Sequence, residues 1–122
     1  MATILVCDDE PALRELMRAA IGGPHRYLEA EDGDAALEAI RYARPDLVLL
    51  DVMLPGRSGL DVLREIRADG VVGGVPVAIV SAWDSDEDRQ AAEAAGADAF
   101  VSKPFLPEEL ERLVAQLLAE RS

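Results

Sequence analysis

Two hydrophobic rhythms alternate along this chain, and few folds can satisfy both. Short, nearly continuous apolar runs occur at Ile4–Cys7, Tyr27–Leu28, Leu47–Leu50, Val75–Val80 and Phe100–Val101. A strand that is apolar on both sides must be covered on both sides, which is the situation of a parallel sheet between two helical layers. Between the runs lie segments with apolar residues at helical spacing. Leu13, Leu16, Met17, Ala20 and Ile21 form one stripe. Leu110, Leu113, Val114, Leu117 and Leu118 form another, with Pro107 and two glutamates suited to its first turn. Asp34–Arg44 and Gly59–Arg67 are shorter helix candidates. Five repeats of strand then helix predict an α/β, doubly wound (βα)5 fold with right-handed crossovers.

One helix differs from the others. Over Ser85–Ala95 the apolar residues are alanines alone: Ala91, Ala92, Ala94 and Ala95. Ser85 and Asp88 have the spacing of a capping box, so the helix has a defined start. Alanine buries little area, and the expectation is a helix weakly tied to the sheet and able to shift. A fixed helix with a shallow contact is the alternative.

The chain has 122 residues, half of them apolar and 30% charged. That length fits one domain, taken as residues 1–122 with its core at about 3–119 and no effector domain. No apolar run approaches the roughly 18 residues of a membrane span, and the start lacks the basic segment of a signal peptide. The single Cys7 cannot form an internal disulfide, which favours a cytoplasmic location. A net charge of −12 argues against direct binding to nucleic acid, because a phosphate backbone is held by a basic face. Acids crowded into one pocket would instead attract a cation.

In a doubly wound sheet the working site lies beyond the carboxyl ends of the strands. Asp8 and Asp9 follow the first run, Asp51 the third, Ser81 the fourth, and Lys103 lies just past the fifth. Each aspartate taken singly could be a turn or cap residue. Together they would place three carboxylates, a hydroxyl and an ammonium in one pocket. Converging carboxylates need compensation, and hard oxygen ligands with room for water suit Mg²⁺. Lys103 is also the only lysine among twelve basic residues. An arginine fork is broad and planar, whereas the ammonium is compact on a long stem and fits beside a cation.

The stretches ILVCDDEP, LVLLDVMLPGRSGLDVLREIR, VPVAIVSA and GADAFVSKPF, in this order, resemble the receiver domain of two-component response regulators, the CheY-like superfamily. The similarity runs from Ile4 to Leu118. It implies a flavodoxin-like sheet of strand order 2-1-3-4-5. It further implies that Asp51 accepts a phosphoryl group from a histidine kinase or a histidine phosphotransfer protein. Asp9, Asp51 and the backbone carbonyl of Met53 would bind Mg²⁺ (or Mn²⁺), with Asp8 acting largely through water. Ser81 and Lys103 would contact phosphoryl oxygens, and Phe100 would be the switch aromatic. The Lys103–Pro104 peptide bond is expected to be cis. Such a domain is not an enzyme, since it catalyses only its own phosphorylation and slow dephosphorylation.

Met53 and Trp83, each two residues beyond a pocket residue, are bulky here and are expected to hinder the hydrolytic water. Trp83 could equally cover the pocket edge or offer a partner contact. The paired charges that a winged-helix subfamily of receivers uses to dimerise across its last two helices are not evident. A small phosphatase with an aspartyl nucleophile would want a second carboxylate at position 53. A flavodoxin-like cofactor carrier would want a Gly/Ser/Thr-rich loop after the first strand, where Asp-Asp-Glu-Pro stands instead.

Overall fold

The structure is a computed structural model that describes residues 1–121. Its strands are β1 (Thr3–Cys7), β2 (Arg26–Ala30), β3 (Leu47–Leu50), β4 (Val77–Ser81) and β5 (Ala99–Ser102). Its helices are α1 (Pro11–Ile21), α2 (Gly33–Ala43), α3 (Gly59–Arg67), α4 (Asp86–Ala95) and α5 (Pro107–Arg121). All strand pairs are parallel, in the order β2-β1-β3-β4-β5. The expected (βα)5 architecture and strand order are those observed.

Side chains that alternate along a strand point to opposite faces, and this divides the apolar residues between two cores. Leu5, Cys7, Val48, Leu50, Val77 and Ile79 face one way and pack with Ile40 of α2, Leu63 and Ile66 of α3, and Ala92 of α4. Ile4, Val6, Leu47, Leu49, Ala78, Val80 and Val101 face the other way, toward Met17 and Ile21 of α1 and Leu110, Val114 and Leu117 of α5. Burial raises the Cys7 thiol well above its ordinary range, and the neighbouring Asp8 charge adds to this. The thiol is therefore inert at neutral pH. Among the described residues, no helix is long and apolar enough to cross a membrane.

The boundaries differ from the apolar runs for local reasons. β2 extends past Tyr27–Leu28 because it is an edge strand paired with β1 from Arg26 to Ala30, and an edge tolerates the exposed Arg26 and Glu29. β4 begins after Pro76, which has no N–H for the ladder although its carbonyl still accepts from Val48. α2 begins one residue early, with the Asp32 side chain accepting the Ala35 N–H at 2.7 Å. Arg44 ends that helix in the left-handed region, at φ 48°.

Helix α4 has the capping box between Ser85 and Asp88 and buries only Ala92 and Ala95. Its C-terminal end is nonetheless well anchored. Arg67, the last residue of α3, donates to the carbonyls of Gly96, Gly73 and Val75 at 2.9, 3.0 and 2.6 Å. The same guanidinium reaches Asp98 at 2.9 Å, and Asp98 in turn accepts the Val77 N–H at 2.8 Å. One side chain therefore joins α3, the loop before β4, the end of α4 and the start of β5.

Gly59 opens α3 against the backbone of β3. A Cβ there would overlap the carbonyl oxygen of Asp51, which cannot move without disturbing the strand end. Gly59→Ala is expected to cost about 2 kcal/mol or more, at the upper part of the overpacking range, because the obstacle is backbone. Chemical denaturation checks this, and a variant as stable as the parent would contradict the packing described.

Candidate functional site

The residues that converge at the carboxyl edge of the sheet lie at or just past the strand ends, and the ladder still holds their backbones. Asp8 N–H donates to the Ala30 carbonyl at 3.1 Å, and Asp51 N–H donates to the Cys7 carbonyl at 3.0 Å. Lys103 N–H donates to the Ser81 carbonyl at 2.9 Å. The positions are thus set by strand pairing, while the side chains project past the edge into a common space.

There the Lys103 Nζ donates to Asp8 Oδ2 at 2.5 Å and to Asp51 Oδ2 at 2.8 Å. These contacts join residues 95 and 52 positions apart in the sequence. The Lys103–Pro104 peptide bond is cis. The side chains of Asp8 and Asp51 are 1% and 8% exposed, so both carboxylates are withdrawn from water around one ammonium. Partial burial disfavours the charged lysine, but hydrogen bonds to Asp51 and Asp8 outweigh it, and the pKa is raised above its ordinary value. Asp51 is further fixed by the Met53 N–H, which donates to its Oδ1 at 3.1 Å. Ser81 is fully buried, and its Oγ accepts the Trp83 N–H at 3.1 Å.

Asp8, Asp9 and Glu10 each bring a carboxylate oxygen within 4.8 Å of the others. Of the four expected cation ligands, the structure gathers Asp8 and Asp9, adds Glu10, and holds Asp51 on Lys103. Asp8, Asp9 and Asp51 carry three formal negative charges against one ammonium, leaving a formal excess of two. Oxygen donors with unbalanced negative charge fit a hard divalent cation. Asp9 is exposed and Asp8 buried, so the donor set runs from the interior to the mouth of the pocket.

Met53 and Trp83 are both about half exposed, at 47% and 51%. They line one largely apolar recess with Val52, Leu54, Pro55, Ser58 and Leu60. The two residues thus share a surface, although they come from different loops.

Three residues near the site were not among the expected site residues. Glu10 belongs to the acidic group, and a third acid in DDE was the available signal. Arg14 of α1 donates from Nη1 to the Asp8 carbonyl at 2.6 Å and from Nε to Glu29 at 2.8 Å. Arg89 of α4 lies over the Phe100 ring, with Cζ 4.6 Å from its centroid, and donates from Nη2 to Ser102 Oγ at 2.6 Å. Arg89 is a lone cation in the acidic stretch DSDEDRQ, but which strand it meets depends on how α4 packs.

A carboxylate that shares an ammonium with a second buried carboxylate has unusual energetics. Removing the shared cation leaves two uncompensated charges, so Lys103→Met is expected to lower stability by about 3 kcal/mol. Asp51→Asn removes one of the repelling pair and should leave stability unchanged or raise it by about 1 kcal/mol. Because the folded pKa of Lys103 is raised, its contribution is fully present below the ordinary lysine value near 10.5 and lost as pH rises through the folded value. Denaturant titrations of both variants check the opposite signs.

Comparison with known proteins covers most of the chain. The family model for the response regulator receiver domain matches residues 4–115. The probable transcriptional regulatory protein TcrX of Mycobacterium tuberculosis is 46% identical over 121 residues, covering 95% of this chain and 49% of that protein. The DNA-binding response regulator MtrA of Mycolicibacterium smegmatis is 45% identical over 108 residues, covering 88% of this chain and 46% of that protein. The chain spans about half the length of these curated relatives. Among solved structures, the receiver domain of the Francisella response regulator 1452 superposes with a TM-score of 0.92 at 28% identity, over the whole of both chains.

Proposed function

This chain belongs to the response regulator receiver domain family, the phosphorylation-activated switch of two-component systems, and on that premise we propose that Asp51 is its phosphoryl acceptor. The observation that carries this reading is the buried Asp51 carboxylate held at 2.8 Å by Lys103, beside the acids at the end of β1. Attack by a carboxylate oxygen on a phosphohistidine of a kinase or phosphotransfer protein would form an acyl phosphate and release the histidine. The chain's contribution is mostly placement. Met53 N–H holds Asp51 Oδ1, leaving Oδ2 to turn from the ammonium toward the donor. Lys103 then follows the charge onto a phosphoryl oxygen, and the Ser81 hydroxyl, whose Oγ accepts the Trp83 N–H, donates its O–H to another.

Asp8, Asp9 and Asp51 would hold Mg²⁺ (or Mn²⁺), with Met53 supplying a backbone carbonyl. When bound, the cation neutralises charge on the transferring group. A second carboxylate at position 53, which an aspartyl phosphatase would use as acid and base, is replaced by Met53. The reaction proposed is therefore self-phosphorylation and slow self-dephosphorylation rather than turnover of a free substrate.

Drawing Ser81 toward the phosphoryl group would free the space behind it for Phe100. Phe100 has no hydroxyl to bond, so the change rests on packing and on loss of its contact with Arg89. The face of α4, β5 and α5 would then shift between two populations. In a regulator of the MtrA kind this face would convey the signal. A chain with net charge −12 is not the part that would hold DNA phosphates.

Incubation with acetyl phosphate and Mg²⁺ followed by intact-protein mass spectrometry should add one phosphoryl group to the parent and none to Asp51→Asn. Phosphorylation of the variant to the same extent would remove Asp51 from its role. The apolar recess of Met53 and Trp83 is proposed to restrain the hydrolytic water. The double variant Met53→Asn, Trp83→Glu should therefore lose its phosphoryl group several-fold faster, and unchanged decay would reject that reading.

A further inference from the structure

Beneath the acidic turn lies an ion pair that touches neither the phosphoryl acceptor nor Lys103. Arg14 lies in α1, its side chain only 13% exposed, and its guanidinium spans two elements. Nη1 donates to the backbone carbonyl of Asp8 at 2.6 Å, while Nε pairs with Glu29 of β2 at 2.8 Å. Arg18, one turn further along α1, approaches the other Glu29 oxygen at 3.4 Å. Glu29 is thus held from two sides and in turn fixes the plane of the Arg14 fork. The turn above is fixed again from within, since the Glu10 N–H donates to Asp8 Oδ1 at 2.9 Å.

We propose that Arg14, oriented by Glu29, is a positioning residue for the cation site: it fixes the Asp8–Asp9 backbone so that both carboxylates point into one donor set. This rests on the reading of Asp8 and Asp9 as cation ligands. The reason is geometric. Asp8 and Asp9 leave the sheet at the point where ladder hydrogen bonds stop, and successive side chains at a strand end would otherwise diverge to opposite faces. A donor on the Asp8 carbonyl sets the orientation of the Asp8–Asp9 peptide plane, and with it the direction in which Asp9 leaves the chain. A planar fork can hold a carbonyl and a carboxylate at once, whereas an ammonium cannot hold both in fixed directions.

Charge alone makes a different prediction, and the two can be separated by sign. Arg14 is a cation near an acidic site, so by Coulomb repulsion its loss would tighten binding of a divalent ion. By the same logic loss of the Glu29 charge would weaken it. Positioning predicts weakening in both cases, because supports of metal ligands are typically worth 10- to 100-fold in affinity.

Calorimetric titration with MgCl₂ of the parent, Arg14→Met, Arg14→Lys and Glu29→Ala decides between them, with circular dichroism confirming the folded state. The expected result is a dissociation constant raised about tenfold in Arg14→Met, and raised by less in Arg14→Lys and Glu29→Ala. Tighter or unchanged binding in Arg14→Met overturns the inference. Should that variant fail to fold, Arg14→Lys decides, because it keeps the charge and electrostatics alone predicts no change. If the parent itself shows no saturable Mg²⁺ binding, the cation reading falls and this inference with it. A normal parent with unaffected variants removes only the role of Arg14.

Discussion

The ammonium of Lys103 between the carboxylates of Asp8 and Asp51 is the interaction on which the rest of this structure depends. It joins three strand ends and sits among side chains with almost no contact with water. Two buried carboxylates at this distance would repel strongly without a cation between them. One ammonium makes the arrangement stable without neutralising it, since Asp9 and one of the paired acids remain in excess. The pocket is therefore satisfied in structure and unsatisfied in charge. That residual charge is what suits it to a divalent ion.

The sheet makes this placement possible. Parallel strands of similar length end together, so residues just past β1, β3 and β5 share an edge although they lie far apart in sequence. The ladder holds their backbones while the two apolar faces bury the strands between helices. Gly59 shows how close the fit is, because α3 approaches the Asp51 carbonyl so nearly that no Cβ fits between them. The rigidity of the frame and the freedom of the side chains at its edge are two results of one architecture.

Helix α4 is held unequally at its two ends. Arg67 binds its C-terminal end through one charge-assisted hydrogen bond to the Gly96 carbonyl and reaches Asp98 just beyond it. Nearer the site, its contact with β5 runs through Arg89, which stacks on Phe100 and reaches Ser102. An exposed contact between a cation and an aromatic ring is worth only about 0.5–1 kcal/mol, and a hydrogen bond to a hydroxyl adds a comparable amount. Energies of this size shift a population several-fold without unfolding the helix. Such an arrangement suits an element that responds to a charge change nearby and still returns to its resting position.

The alternation of apolar runs with helical stripes determined the fold, because only a parallel sheet covered on both sides buries both patterns. That Asp8, Asp9, Asp51 and Lys103 lie close together was legible for the same reason, since strand ends in such a sheet are neighbours. The capping box of α4 was legible too, being a local hydrogen-bond pattern of four residues. What the sequence could not reveal were contacts set by the packing of one element on another. Arg14 meets the Asp8 carbonyl, Arg67 gathers Gly73, Val75, Gly96 and Asp98, and Arg89 covers Phe100 only because particular helices lie at particular angles on the sheet. Long arginine side chains are free to reach many partners, and no periodicity encodes which one they find. The tertiary structure alone decides that, by placing one carbonyl, one carboxylate or one ring within reach of each guanidinium.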